Sequence, residues 1–97
     1  MAKKGYWIVC HVSGAEGAVM TEYANAARPV VEGSGGRLII RGKPAKACEA
    51  ALDEPVIVVE FESVEKAIET YQSTAYQAAA RILAGKVKRD FRIVEGL

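Results

Sequence analysis

The stretch VIVVEFESVEKAIETY, Val56 to Tyr71, changes its periodicity once, and that change decides the fold. VIVVEF, Val56 to Phe61, is β-branched and almost continuously apolar, the pattern of a strand buried on both faces. After Ser63 the apolar spacing lengthens to steps of three and four, through Val64, Ala67, Ile68 and Tyr71, which marks one face of a helix. Ser63 is placed to cap that helix, and Glu65 puts a negative charge in its first turn, where unpaired backbone N–H groups favour it.

Downstream, YQSTAYQ (Tyr71 to Gln77) interrupts the helix. A second helical face follows in Tyr76, Ala79, Ala80 and Leu83, with Gly85 as its stop. Either Ser73 or Thr74 can cap it, and Thr74 with Gln77 fits the capping box. Both tyrosine rings are expected inward, each hydroxyl seeking a partner. DFRIVE, Asp90 to Glu95, is the last strand.

Upstream, YWIVCHV after Gly5 is aromatic and β-branched and is closed by Ser13 and Gly14, which makes it the first strand. Val19, Tyr23, Ala26, Ala27 and Val30 mark a helix that runs to about Glu32, with a kink expected at Pro29, and ends at Gly33, Gly35 and Gly36. RLIIRG is the second strand, and Lys43 to Pro55 reads as a long hairpin connection. The order is β-α-β-β-α-β with the second helix broken in two, an α+β ferredoxin-like arrangement with a four-stranded antiparallel sheet. Within it, strands one and three are expected side by side in the middle and parallel, with strands two and four at the edges.

The chain has 97 residues, 51% hydrophobic and 26% charged, with a net charge of +1. That size gives one core, so a single domain over residues 1–97 is expected. The near-zero charge argues against nucleic acid or an acidic membrane as a partner. No apolar run reaches the ~18 residues of a membrane-spanning helix. MAKK with the apolar run after it lacks a cleavage pattern, so a cytoplasmic location is expected. Cys10 and Cys48 show no metal or redox spacing and read as two reduced thiols behaving as small buried hydrophobes.

Two helices cover one face of a four-stranded sheet, and the other face should then turn polar. Here both faces of strands one and three are largely apolar. A two-fold dimer that packs sheet against sheet closes such a surface, forming a dimeric α/β barrel.

The pieces GYWIV (Gly5 to Val9), GGRLIIRG (Gly35 to Gly42), VVEFES (Val58 to Ser63), YQSTAYQ and FRIVEG (Phe91 to Gly96), in that order, resemble the DUF1330 family of the dimeric α/β-barrel superfamily. The resemblance implies a ferredoxin-like subunit and a homodimer, and no established activity. The wider superfamily includes small oxygenases, isomerase-like enzymes, haem proteins and stress-response proteins, among which a shared fold does not decide. The family's frequent proline at the position of Thr74 favours Ser73 as the cap. Met20 and Lys43 depart from the family pattern, which often has an aromatic residue and a glycine there.

For chemistry, the sequence offers one constellation. With strands one and three parallel, His11 and Glu60 fall near the same sheet end and on the face of Trp7, Val9, Val56 and Val58, and Arg37 falls opposite Glu60. A carboxylate-held histidine is a general base near neutral pH, and the arginine can hold an anion or enolate. The competing reading of His11, Glu60 and Arg37 is a buried ion pair and histidine at the dimer interface. Trp7, Arg41, Tyr71 and Tyr76 are further pocket candidates, with Arg41 on the same parity as Arg37. KVKR, Lys86 to Arg89, reads as a solvated turn. A lone histidine without a second histidine or cysteine at ligand spacing does not point to a metal, and no metal or cofactor is expected. The expected function is a homodimer that binds or transforms a small organic molecule in a pocket between sheet and helices or inside the barrel. The alternative is a non-catalytic homodimeric structural or stress-related interaction protein.

Overall fold

In the computed structural model, which describes residues 3–97, the chain forms β1 (Gly5–Ser13), α1 (Ala18–Gly33), β2 (Arg37–Gly42), β3 (Val56–Phe61), α2 (Val64–Gln72), α3 (Thr74–Ala80), a 3-10 turn (Arg81–Leu83) and β4 (Lys88–Glu95). Met1 and Ala2 of the expected 1–97 unit lie outside the described residues. The sheet order is β2-β3-β1-β4, and all three neighbour pairs are antiparallel.

Antiparallel pairing of β1 with β3 corrects the expectation of parallel neighbours. The crossover through α1 joins β1 to β2, so these two run the same way with β3 inserted between them. The hairpin from β2 reverses the chain, and β3 must then oppose β1. The register pairs Trp7 with Val59 and Val9 with Ile57. Directly opposed residues share a face, so Trp7, Val9 and His11 lie with Ile57, Val59 and Phe61 on the helix side. Tyr6, Ile8 and Cys10 lie with Val56, Val58 and Glu60 on the outer side. The parity of β3 is the inverse of the expected one: Val56, Val58 and Glu60 do not share the face of Trp7 and Val9.

A bulge in β2 adds a second correction. Leu38 pairs with Val59 and Ile40 with Val58, leaving Ile39 unopposed. One extra residue reverses the alternation beyond it. Arg37 therefore shares the outer face with Glu60, while Arg41, opposite Ile57, turns to the helix side. The two arginines have opposite parity.

The core is aromatic. Trp7 packs at ring-centroid distances of 4.8 Å from Tyr76, 5.0 Å from Phe61 and 5.1 Å from Phe91. Its indole N–H donates to the Ala67 carbonyl at 2.9 Å, so the buried donor is satisfied. Gly5 is buried where β1 meets the start of α2, and a Cβ there would lie 2.5 Å from the Ser63 carbonyl oxygen. Glycine is what lets the strand and the helix N-terminus approach this closely.

The helix break at YQSTAYQ is a capping device. The Ser73 hydroxyl donates to the Thr70 carbonyl at 2.7 Å, which closes α2, and accepts from the Tyr76 N–H at 3.1 Å, which opens α3. Thr74 is the first residue of α3 and is exposed, so Ser73 is the cap. Ser63 caps α2 as expected, accepting from the Lys66 N–H at 3.1 Å. Pro29 sits within α1, which continues as one element to Gly33.

α2 packs on β1, β3 and β4, whereas α1 rests chiefly on α3 and the 3-10 turn. Near the far end of α1, Gly36 is closed in by Val31 and Phe61: a Cβ on it would lie 2.6 Å from a Val31 side-chain carbon and 2.8 Å from one of Phe61. The N-terminal part of α1 is held off the β2–β3 half of the sheet. Both cysteines are exposed, contrary to the expected burial, with Cys10 on the outer face. No helix among the described residues is long and apolar enough to cross a membrane.

Candidate functional site

The gap between α1 and the sheet is a cleft of about 480 Å³. Its floor is Val9, Ile57, Val59 and Phe91 from the inner sheet face, and its wall is Met20, Ala24, Ala27 and Val31 from α1. Polar groups converge on this apolar surface from three strands and the helix: His11 from β1, Arg41 from β2, Arg89 from β4 and Tyr23 from α1. A concave apolar site with a few placed polar groups is the usual form of a small-molecule site.

Arg89 organises one end. Its guanidinium donates to the Tyr23 hydroxyl and to the Tyr76 hydroxyl, both at 3.3 Å, and lies 5.2 Å from the Tyr23 ring centre and 5.1 Å from that of Phe91. Held between two rings and two hydroxyls, this half-buried side chain is pre-organised. The two hydroxyls are 2.6 Å apart. Burial pushes the Tyr76 phenol well above its ordinary pKa, with Tyr23 adding to the rise. Burial works against the Arg89 charge, but Tyr76 and Tyr23 outweigh it and the guanidinium is held more firmly protonated than usual.

His11 is opposite Arg89 in the β1–β4 register and is only 3% exposed. Its Nδ1 lies 2.8 Å from the Pro55 carbonyl oxygen. A carbonyl can only accept, so Nδ1 carries the hydrogen and Nε2 is the ring's remaining polar atom.

The constellation of His11, Glu60 and Arg37 is thus not assembled. Arg37 and Glu60 do meet, at 3.1 Å, and Tyr6 donates to the same carboxylate at 3.0 Å. That hydrogen bond to Glu60, with burial second, raises the Tyr6 pKa. His11, however, is on the opposite face and at the opposite end of the sheet, because β1 and β3 are antiparallel. Among the pocket candidates, Trp7 and Arg41 line the cleft. Tyr76 stands behind it, against the lining residues Trp7, Tyr23 and Arg89. Tyr71 packs on Phe91 at 4.8 Å, away from the cleft.

Arg89 and Tyr23 are the residues that the sequence reading missed as site residues. β4 begins at Lys88, two residues earlier than expected, so Arg89 belongs to the strand and not to a solvated turn. Its alternation with Phe91 and Ile93, which face inward, was the available signal.

The described fold is shared by solved structures of low sequence identity. A protein of unknown function from Rhodopseudomonas palustris is similar at a TM-score of 0.75 and 15% identity, covering 100% of this chain and 85% of that one. A dimeric ferredoxin-like protein of unknown function from Bacteroides fragilis is similar at 0.61 and 12%, covering 99% and 98%. A protein from Caulobacter crescentus provisionally named an antibiotic biosynthesis monooxygenase is similar at 0.61 and 10%, covering 99% and 91%. Comparison with curated proteins gives no match. At these identities the likeness establishes the ferredoxin-like α+β fold and leaves activity open. The family profile is more specific: it matches residues 4–97, and the chain belongs to the family described as "Domain of unknown function (DUF1330)".

Proposed function

We propose that the protein binds a small organic molecule in the cleft between α1 and the inner sheet face, as a homodimer closed through the outer sheet face in a reducing, cytoplasmic setting. The observation that carries the binding reading is the cleft itself: about 480 Å³, apolar on floor and wall, with His11, Arg41, Arg89 and Tyr23 converging on it. Arg89, held by two hydroxyls and two rings before any ligand arrives, supports it because pre-ordered groups lose little entropy on binding.

The dimer reading rests on the outer face, where Ile8, Ile40, Val94 and Tyr6 form an apolar surface around the buried Val58 that the helices do not cover. Ile40 is 51% exposed and Val94 42%. The dimeric description of the Bacteroides fragilis protein supports it by analogy of fold. The outer group of Arg37, Glu60 and Tyr6 belongs to this interface and not to a catalytic site.

Filling the cleft tests the binding reading. Ala24 is exposed on the cleft wall, so Ala24→Trp should leave the fold intact while occupying the cavity. A small-molecule library screened by thermal shift should give hits on the parent that vanish in Ala24→Trp, since a ligand bound only to the native state raises its melting temperature. Hits of equal size in both proteins place binding elsewhere, and no hits in either removes the reading.

A further inference from the structure

We infer that the ligand of this cleft is a carboxylate with an apolar body, its head group held at the Arg89 and Tyr23 end; the inference rests on the cleft being the binding site. Charge gives the first argument. Arg28, Glu32, Arg41 and Arg89 are the charged residues on the lining. Arg28 and Glu32 face each other at 3.9 Å across one helical turn. Arg41 and Arg89 make no salt bridge with a carboxylate among the described residues. Two cations therefore face an apolar cavity without a counter-charge, a condition that an anion relieves.

The hydroxyl protons give the second argument. Tyr76 is 0% exposed, and its hydroxyl has two neighbours, Tyr23 and Arg89. A guanidinium cannot accept a hydrogen bond, so Tyr76 must donate to Tyr23. The Tyr23 oxygen then receives bonds from both Tyr76 and Arg89, and its own hydrogen has no acceptor among the described residues. A hydroxyl that accepts twice is polarised into a stronger donor. Tyr23 lies on the cleft wall, so this end of the cleft offers a polarised O–H beside a fixed guanidinium, which matches the acceptor-only chemistry of a carboxylate.

The apolar floor of Val9, Ile57 and Phe91 fixes the rest of the ligand as an aromatic or branched hydrocarbon body. Arg41 stands at the other edge of the sheet, three strands from Arg89, or about 14 Å at the usual strand spacing. It supplies long-range attraction, not the primary contact.

The full chain titrated with 2-naphthoate and with the isosteric neutral 2-naphthamide tests this by NMR. His11 and Trp7, the single histidine and tryptophan of the chain, report from the cleft. The carboxylate should move both signals and bind at least ~10-fold more tightly than the amide, a difference of about 1.4 kcal/mol. Arg89→Met should bring the carboxylate to within about threefold of the amide, the share left to Arg41. Arg41→Gln, at an exposed edge position that leaves the core untouched, should weaken the carboxylate about threefold and the amide not at all. Equal binding of the two probes to the parent overturns the carboxylate assignment while the cleft reading stands. Failure of both probes to move either signal overturns the cleft reading and this inference together. Preference for the carboxylate that survives both substitutions unchanged places the anion outside the cleft and overturns the inference.

Discussion

The hydroxyls of Tyr23 and Tyr76, 53 residues apart in sequence, meet at 2.6 Å and are bridged by one guanidinium, that of Arg89. The pair ties α1 to α3 and holds Arg89 at one end of the cleft. Because Tyr76 is buried, its ionisation is coupled to folding.

Burial raises the Tyr76 pKa, whereas in the unfolded chain the phenol titrates near its ordinary value of about 10. Below that pH the group's contribution is fully present. As pH climbs past it, the unfolded chain releases a proton that the native state retains, so stability falls by about 1.4 kcal/mol per pH unit from this group. Tyr76→Phe should cost about 1 kcal/mol at pH 7 through the lost hydrogen bond. Its urea midpoint should then converge on that of the parent between pH 9 and 11. Parallel midpoints across that range would contradict the coupling.

Ser73→Ala removes both the stop of α2 and the cap of α3, and a loss of about 0.5 to 2 kcal/mol is expected in urea unfolding. Thr74→Ala, at an exposed first helical position, should stay within about 0.5 kcal/mol of the parent. The reverse order of cost would mean that the cap had been assigned to the wrong hydroxyl.

Gly5→Ala should destabilise by about 1 to 3 kcal/mol, since the new methyl meets backbone atoms of Ser63 and Val64 that cannot rotate away. Gly36→Ala meets side-chain carbons of Val31 and Phe61 first. These can give way in part, so the smaller loss is expected there. Denaturation of the two variants side by side checks the ranking.

Ile40→Lys reads the outer face. In an isolated subunit this exposed site should tolerate lysine, whereas in a sheet-to-sheet dimer two buried ammonium groups would split the assembly. Light scattering should give a dimer for the parent and a monomer for the variant. Cys10, on the same face, should be shielded from a thiol reagent in the parent dimer while Cys48 reacts; a monomeric parent, or equal reactivity of the two thiols, removes the dimer.

The elements were legible because each carries its own local signal. VIVVEF, the Ser63 cap and the step-of-three spacing after it needed no tertiary information, since strand and helix patterning repeat over a few residues. The apolar character of both faces of β1 and β3 was equally plain. The site was not legible in the same way. It depends on which strand end meets which, and there one wrong relation, parallel for antiparallel, joined His11 to Glu60 across a sheet that separates them.

What the sequence by itself determined is the order β-α-β-β-α-β, the capping serine at position 63 and the break at YQSTAYQ, all set by contacts between near neighbours in the chain. Tertiary structure decided three things: that Arg41 turns inward past the Ile39 bulge, that Arg89 belongs to a strand and points at the cleft, and that Tyr23 finds Tyr76. Each is a matter of register or of helix placement. A shift of one residue in a sheet reverses a side chain's face without altering any local preference, so only the assembled sheet and the helix standing off it could settle where these groups converge.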